Sequence, residues 1–280
     1  MIAAGLVAGL SALALAISAM LSKQLTATMP ARQLIGPLLA LNALLVLPAV
    51  GATAWVATGT AWWLHVAEVA LLLLGSWAVW DLFDHGAASA TVSAQSLSPI
   101  PAVLVAFVAL PGTVVAADVG GALLVVAGVS LALRGAFGSL SGRRRWATVL
   151  AAAVAAGTLT VTSRMLADLG VGIVATYFTR TVGAAVVALL LFPPRDVPWR
   201  QLPSLVSRSV MVTAHFIGVL LAVRLGSPAT VQAVVATAPL LTLLLETFRH
   251  RRPASPRVVL GTGAVSLGLV ILVTSAGPPT

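Results

Sequence analysis

The sequence predicts an all-α membrane protein with ten transmembrane helices, on the basis of its composition and the length of its apolar runs. Of the 280 residues, 59% are hydrophobic and only 8% are charged, with a mean hydropathy of +1.06. A soluble domain carries about 25% charged residues, so this chain has too few charges to cover one. A membrane-spanning helix needs about 20 predominantly apolar residues, and the apolar runs of this chain supply them.

Ten apolar segments follow one another, with short polar connections between them. They lie at about 2–22, 33–51, 64–84, 89–110 and 116–134 in the first half, and at about 146–165, 170–192, 204–224, 228–246 and 257–275 in the second. The segments are predicted to be helical, because a backbone in lipid has to satisfy its own hydrogen bonds and because the alternation of a barrel strand is missing. The longest connection runs from Arg134 to Arg145, so no soluble domain is expected.

Proline and glycine positions recur between the two halves of the chain at one constant spacing, called the repeat offset below. The same spacing separates Pro99 from Pro239, Gly121 from Gly261, and Gly128 from Gly268, and Ser22-Lys23 resembles Ser163-Arg164 at nearly the same shift. Residues 1–135 and 146–276 are therefore predicted to be two five-helix repeats. A duplicated unit with an odd number of spans must insert upside down relative to the first. Inverted repeats suit alternating access around a site near the middle of the bilayer.

Short motifs of the third to fifth segments recur in the eighth to tenth. The first set comprises Trp77-Ala78-Val79-Trp80-Asp81-Leu82, Ala87-Ala88-Ser89-Ala90-Thr91, Leu97-Ser98-Pro99 and Gly120-Gly121-Ala122-Leu123, and the second comprises Ala222-Val223-Arg224, Pro228-Ala229-Thr230, Pro239-Leu240-Leu241 and Gly261-Thr262-Gly263. The pattern resembles the EamA-type branch of the drug/metabolite transporter superfamily over nearly the whole chain. This resemblance implies ten helices in two inverted five-helix repeats and the transport of small metabolites or drugs.

The chain departs from the pattern of that family at two places. Family members often carry a Gly-Glu pair after the fourth and ninth helices. Glu246 corresponds to the second pair, whereas Pro111-Gly112 stands where the first would be. The loop after the second helix is usually basic, but Val50–Thr60 carries no charge.

The basic residues lie mainly in the connections between segments. The formal charge is +9, from 16 Lys+Arg against 7 Asp+Glu. Their placement predicts a role in topology and in contact with anionic membrane lipids, and no basic stripe with interleaved aromatic residues indicates nucleic-acid binding. Thirteen of the 16, Arg208 among them, are assigned to the connections after helices one, five, seven and nine. The positive-inside rule then places both termini outside the cytoplasm, whereas the family resemblance implies both inside.

Three ionisable residues are predicted to lie deep inside apolar segments. A charge at the bilayer centre costs about 2.5–3.5 kcal/mol on insertion scales, so such residues are candidates for function. Arg180 binds an anionic or carboxylate group of a substrate, forms a buried pair with Glu68, or, if its helix is shorter than predicted, extends to the membrane interface. His215 either relays protons or is a neutral imidazole bonded to a neighbouring helix. Glu68 either couples transport to protons or serves as the partner of Arg180.

Weaker candidates complete the predicted cavity lining. Trp77 and Trp80 are aromatic candidates for it. Asp81 shares a helix face with Trp77 and Asp84, since the three are spaced i, i+4 and i+7, and both acids are also compatible with an interfacial position. The amides that either join helices or line a polar path are Asn42, Gln95 and Gln232.

No pattern in the sequence indicates an enzyme. Walker and Rossmann glycine patterns, His-Glu-x-x-His and Gly-x-Ser-x-Gly are absent, and the chain has no cysteine; neither a metal nor another cofactor is expected. The sequence therefore predicts a secondary active transporter of a small metabolite or drug, an efflux permease that works by alternating access and is driven by protons or by exchange. It is expected to be a multi-pass cell-membrane protein, a monomer or homodimer, with a small-molecule solute and membrane lipids as partners. The alternative is a non-transport membrane protein, such as a lipid flippase subunit or a scaffold.

Overall fold

The computed structural model describes residues 2–85, 88–112, 114–132, 143–194, 199–250 and 256–275. Within these ranges all regular structure is helical. The α-helices are α1 (Ile2–Thr26), α2 (Ala31–Val46), α3 (Gly59–His85), α4 (Ala88–Gln95), α5 (Pro99–Ala109), α6 (Ala116–Ala132), α7 (Arg143–Asp168), α8 (Ile173–Leu191), α9 (Leu202–Leu225), α10 (Pro228–Val235), α11 (Ala238–His250) and α12 (Pro256–Ser275). Short 3₁₀ helices cover Leu47–Ala52 and Trp199–Gln201. The connection predicted at 134–145 lies mostly outside the described residues.

Length and apolar composition identify the chain as an integral membrane protein. Seven helical segments of the described residues are long and apolar enough to cross a membrane, and the helices Pro99–Ala109 and Asp118–Leu131 are shorter but also apolar. Large apolar side chains point outwards. Phe107 is 71% exposed, Val108 78% and Leu190 77%. Such a surface is costly in water but matches the hydrocarbon of a bilayer.

The fourth and ninth predicted segments are each interrupted in the middle. The first breaks between α4 and α5, and the second breaks between α10 and α11. The segments predicted at 89–110 and 228–246 are therefore helical, but each contains a turn near its middle that the hydropathy pattern does not reveal. The cause is Pro99 and Pro239, because proline has no N–H to donate to the preceding helical turn. The two breaks are related by the repeat offset, as the prolines are.

The helix contacts follow the same repeat offset. The largest contacts join α6 with α12, α1 with α9, α3 with α7, and α2 with α8. A shift by the offset places α1 on α7 and α3 on α9. The α1–α9 contact therefore corresponds to the α7–α3 contact. In the α2–α8 and α6–α12 contacts, each helix packs against its own offset equivalent.

The contact between α6 and α12 shows this reciprocity at single residues. A Cβ on Gly128 would lie 2.7 Å from the carbonyl oxygen of Gly261, and a Cβ on Gly268 would lie 2.9 Å from that of Gly121. Only glycine fits at such distances, so the two backbones approach closely. Gly261 and Gly268 are the offset equivalents of Gly121 and Gly128. Gly128 therefore lies against the equivalent of Gly121, and Gly268 lies against Gly121 itself.

The C-terminal ends of α3 and α9 each receive a cationic side chain from a neighbouring helix. The Lys23 Nζ donates to the carbonyl oxygen of Phe83 at 2.9 Å. The Arg164 Nη1 donates to the carbonyl oxygen of Val223 at 2.7 Å. Cations are favourable at helix C-termini, where carbonyl groups lack helical partners. Phe83 and Val223 are related by the repeat offset, and Lys23 and Arg164 depart from it by a single position.

Candidate functional site

A cavity of about 120 Å³ lies between helices of both halves of the chain. Its wall combines apolar residues with several polar and two cationic side chains, and none of the described residues that line it is acidic. The polar and charged lining residues are Ser18, Ser22, Ser76, Gln95, Ser98, Thr160, Ser163, Arg180, Arg208, His215 and Gln232. The aromatic lining residues are Trp80, Phe83 and Phe216. A space of this size and chemistry holds water or a small solute.

A buried charge cluster lies at the wall of the cavity, where α3, α7 and α8 meet. The Arg180 Nη1 lies 3.7 Å from the Glu68 Oε1. The Ser163 hydroxyl stands between the two, donating to the Glu68 Oε1 at 2.5 Å and accepting from the Arg180 Nη1 at 3.2 Å. Thr162 also donates to Glu68, at 3.4 Å. The structure therefore brings together the pair that the sequence predicts as one of the interpretations of Arg180.

The cluster keeps unused hydrogen-bonding capacity. The Arg180 Nε and Nη2 and the Glu68 Oε2 are buried and have no hydrogen-bond partner among the described residues. The Arg180 guanidinium lies instead over two aromatic rings, 5.3 Å from the centroid of Tyr177 and 5.0 Å from that of Phe216. Such cation–π contacts stabilise a desolvated guanidinium only in part. Two donors of Arg180 are thus free to bind a further acceptor.

Arg208 is a candidate site residue that the count of basic residues assigns wrongly to a connection, although the predicted segment 204–224 already includes it. Because α9 begins at Leu202, Arg208 lies about 9 Å along the helix at 1.5 Å per residue. Its Nε donates to the Ser22 hydroxyl at 3.2 Å, and its guanidinium lies 5.1 Å from the ring of Trp80. Among the described residues no carboxylate pairs with it. The repeat offset is the signal that could have found it, because Arg208 is the offset equivalent of Glu68.

Glu68 and Arg208 each form a hydrogen bond with a serine hydroxyl of a neighbouring helix. Ser163 of α7 donates to Glu68 of α3, and Ser22 of α1 accepts from Arg208 of α9. Glu68 and Arg208 are related by the repeat offset, and Ser22 and Ser163 depart from it by a single position. The two contacts are therefore equivalent, with an acid in one half of the chain and a base in the other.

His215 is fixed by hydrogen bonds to α1 on the opposite wall. The Ser11 hydroxyl donates to the carbonyl oxygen of His215 at 2.7 Å. The His215 Nδ1 lies 2.9 Å from that hydroxyl oxygen and 3.1 Å from the carbonyl oxygen of Ser11. A carbonyl can only accept, so the contact with the Ser11 carbonyl is a hydrogen bond in the tautomer that carries its hydrogen on Nδ1. This assignment leaves the Nε2 as the ring atom that does not bond to Ser11.

The two interrupted helices meet through Gln232. Its Oε1 accepts from the Ser98 hydroxyl at 2.8 Å, and its Nε2 donates to the carbonyl oxygen of Ala156 at 3.2 Å and to the hydroxyl of Thr160. Gly157 allows the close approach, because a Cβ there would lie 2.5 Å from the carbonyl oxygen of Ser98. Gln232 thus both joins helices and lines the cavity.

The remaining predicted site residues divide between the lining and its surroundings. Trp80 and Gln95 line the cavity. Asn42 borders an adjoining cavity of about 30 Å³, and its Oδ1 has no hydrogen-bond partner among the described residues. Trp77 packs in the core and Asp81 is half-buried, and the structure places neither at the lining of either cavity. The side chain of Glu246 lies outside the described residues.

The second half of the chain matches a known family. The model of the EamA-like transporter family matches residues 146–274. The match covers slightly less than half of the chain, and over these residues the chain is similar to EamA-like transporters. The resemblance predicted from the motifs is thereby confirmed for this stretch. The matched stretch contains Arg180, Arg208, His215 and Gln232 of the cavity, and the family that it resembles consists of transporters.

The fold of the whole chain also has a solved counterpart. One crystal structure of another protein superimposes on it with a TM-score of 0.75, at 22% sequence identity, covering 98% of this chain and 97% of that one. At this identity the likeness shows the fold alone. No curated protein matches the chain in sequence. The family match over residues 146–274 and the apolar helices together indicate an integral membrane protein that is similar to EamA-like transporters.

Proposed function

We propose that the protein is a secondary active transporter that exports a small metabolite or drug by alternating access. The observation that carries the proposal is the polar cavity itself. Arg180, Arg208 and His215 converge on it from α8 and α9, inside a bundle whose outer surface is apolar. Ionisable residues buried in a membrane bundle are expensive, and they mark solute or ion pathways. A scaffold has no need of them.

The proposed transport cycle depends on two inverted five-helix repeats, 1–135 and 146–276. The reciprocal glycine contacts between α6 and α12, the exchanged α1–α9 and α3–α7 contacts, and the equivalent breaks before Pro99 and Pro239 support this arrangement. Broken helices around a site at mid-depth recur in transporters built from inverted repeats. Rocking of one half against the other would open the cavity to each side of the membrane in turn.

Glu68 is the proposed proton-coupling group. It is the acid in contact with Arg180, and the Glu68 Oε2 lacks a partner among the described residues. A proton on Glu68 would remove the charge that holds Arg180 and free that guanidinium for the solute. Proton binding and solute binding would then be linked through one ion pair.

Reconstitution into liposomes tests the proposal. Counterflow of labelled amino acids, sugars and cationic or anionic drugs is expected to show uptake of at least one solute class, and an imposed pH gradient is expected to change its rate. Arg180→Gln, His215→Ala and Glu68→Gln should each abolish transport while the protein still reaches the membrane. Arg32→Gln, at an exposed position, is the matched control. Normal transport by all three cavity variants would contradict the site, and no transport of any class would favour the scaffold or flippase alternative.

A further inference from the structure

Three charged side chains meet at the cavity, and they do not balance. Glu68 is negative, whereas Arg180 and Arg208 are positive, and no described lining residue adds a negative charge. With His215 neutral, one positive charge is left over. Arginine stays protonated in proteins, so the excess cannot be removed by loss of a proton from Arg208. Arg208 is half-buried at the cavity, and a charge that the protein leaves unpaired inside a membrane bundle is costly. An anion that enters the cavity from outside the chain would offset it.

The excess charge belongs to Arg208. Glu68 is already engaged, because its Oε1 lies 3.7 Å from the Arg180 Nη1 and accepts from Ser163. Arg208 has only the neutral hydroxyl of Ser22 and the face of Trp80. Its Nε is used by Ser22, and the two terminal nitrogens make no hydrogen bond to any described residue. This leaves the end of the guanidinium fork free for a carboxylate, the planar acceptor that matches two parallel N–H donors.

The residues around Arg208 also indicate the shape and polarity of the ligand that would bind it. Arg208 borders both the main cavity and the adjoining one, and Trp80, Val212 and Phe216 line both with it. These side chains offer an apolar and aromatic wall beside the guanidinium. Asn42, which lines the adjoining cavity, presents an Oδ1 without a partner among the described residues. A ligand with one anionic group and an apolar body would satisfy both the fork and the wall.

We propose that the transported solute is a small organic monocarboxylate and that Arg208 is the residue that binds its carboxylate. This inference rests on the proposed transport function and names its substrate class. While Glu68 is charged, Arg180 stays in the ion pair with it, so Arg208 is the cation available to the solute in that state. A single excess charge selects a monoanion over a dianion, and it disfavours a cation.

Binding of three probes that share one aromatic ring to the protein in lipid nanodiscs tests the proposal. Benzoate is an anion, benzamide is neutral and benzylammonium is a cation, and all three present the same ring. Isothermal titration is expected to show benzoate binding at least about tenfold tighter than benzamide, the increment of a hydrogen bond to a charged group, and no saturable binding of benzylammonium. Acetate and hexanoate extend the series in case the ring does not fit.

Substitutions at Arg208 test whether the preference for benzoate over benzamide depends on this residue. Arg208→Gln should abolish the preference for benzoate over benzamide, whereas Arg208→Lys, which keeps the charge without the fork, should retain a reduced preference. Arg32→Gln removes the same charge from an exposed site and should leave the preference unchanged. The proposal is overturned if none of the three carboxylates binds, if benzamide or benzylammonium binds better than benzoate, or if Arg208→Gln keeps the preference. If Arg208→Gln does not fold, the probe selectivity of the wild-type protein and the reduced preference of Arg208→Lys still test the proposal.

Transport measurements separate this inference from the proposed function. If liposomes transport a neutral or cationic solute and no carboxylate, the transporter proposal stands and the substrate class is wrong. If benzoate binds at Arg208 but no solute of any class crosses the membrane, the binding site stands and the transport proposal is wrong.

Discussion

At the scale of single residues, the Ser163 hydroxyl organises the charge cluster. It donates to Glu68 at 2.5 Å and accepts from Arg180 at 3.2 Å, so it joins two groups whose direct separation is 3.7 Å. The cluster is shielded from solvent, since Glu68 is 0% and Arg180 1% exposed. Loss of either charge would leave the other buried without compensation, which costs far more than the pair itself contributes.

A double-mutant cycle is expected to show this coupling. Glu68→Gln and Arg180→Met should each lower the free energy of unfolding by about 3–5 kcal/mol, because each leaves one buried charge unpaired. The double variant should lose clearly less than the sum of the two. Unfolding by denaturant in detergent micelles measures all three. Asp168→Asn is the control, because Asp168 forms an exposed pair with Arg164 and its loss should cost less than about 1 kcal/mol. Additive effects of the two buried substitutions would contradict the coupling.

The sequence could predict this pair but not the neighbouring cation. Arg180 stands near the middle of its apolar run, so it needs a partner, and Glu68 is an acid inside another run that complements its charge. Arg208 stands as far from the start of the predicted segment 204–224 as Glu68 does from the start of 64–84, but the sequence offers no acid of its own segment position to pair with it. Only the start of α9 at Leu202 and the packing of α1 and α3 around it bring Arg208 against Ser22 and Trp80. Tertiary contacts decide such a position, and hydropathy does not contain them.

At the scale of helices, the interruption between α4 and α5 is held against α7. A Cβ at Gly157 would lie 2.5 Å from the Ser98 carbonyl oxygen and 2.8 Å from the Ala102 nitrogen. Both neighbours are backbone atoms, which cannot rotate away. The sequence predicts the apolar segments well, since composition determines them. It does not predict the breaks, because proline also occurs in continuous transmembrane helices and only the contacts with α7 and Gln232 distinguish the two cases.

Gly157→Ala is therefore expected to separate α5 from α7. Overpacking of this kind costs about 1–3 kcal/mol, so the variant should unfold at lower temperature and transport more slowly. Gly120→Ala is the matched control in α6, because a Cβ there meets nothing within 4 Å. Alanine in an exposed helical position is favoured over glycine by about 0.5–1 kcal/mol, so this control should be neutral or slightly stabilising. Equal thermal stability of the two variants would contradict the close contact.

At the scale of the whole molecule, the two cation–carbonyl contacts define a pair of equivalent latches. Lys23 binds the end of α3 at Phe83, and Arg164 binds the end of α9 at Val223. In the proposed inverted arrangement, equivalent positions of the two repeats lie at opposite membrane faces. Each latch would then hold two helices together on its own side of the cavity, and opening on one side would require only the latch of that side to break.

Loss of one latch is accordingly expected to shift the cavity towards opening on one side. Lys23→Met and Arg164→Met should raise access to the cavity from opposite faces of the membrane, because each removes a contact at one face only. The chain has no cysteine, so Ser76→Cys supplies a single reporter in the cavity wall. Its labelling by an impermeant maleimide, added to one side or the other of sealed vesicles of known orientation, measures the access. Arg32→Met, at an exposed position, should change neither rate. Were both latch variants to raise labelling from the same face, the two contacts would lie on one side of the membrane, and the inverted relation of the halves would be wrong.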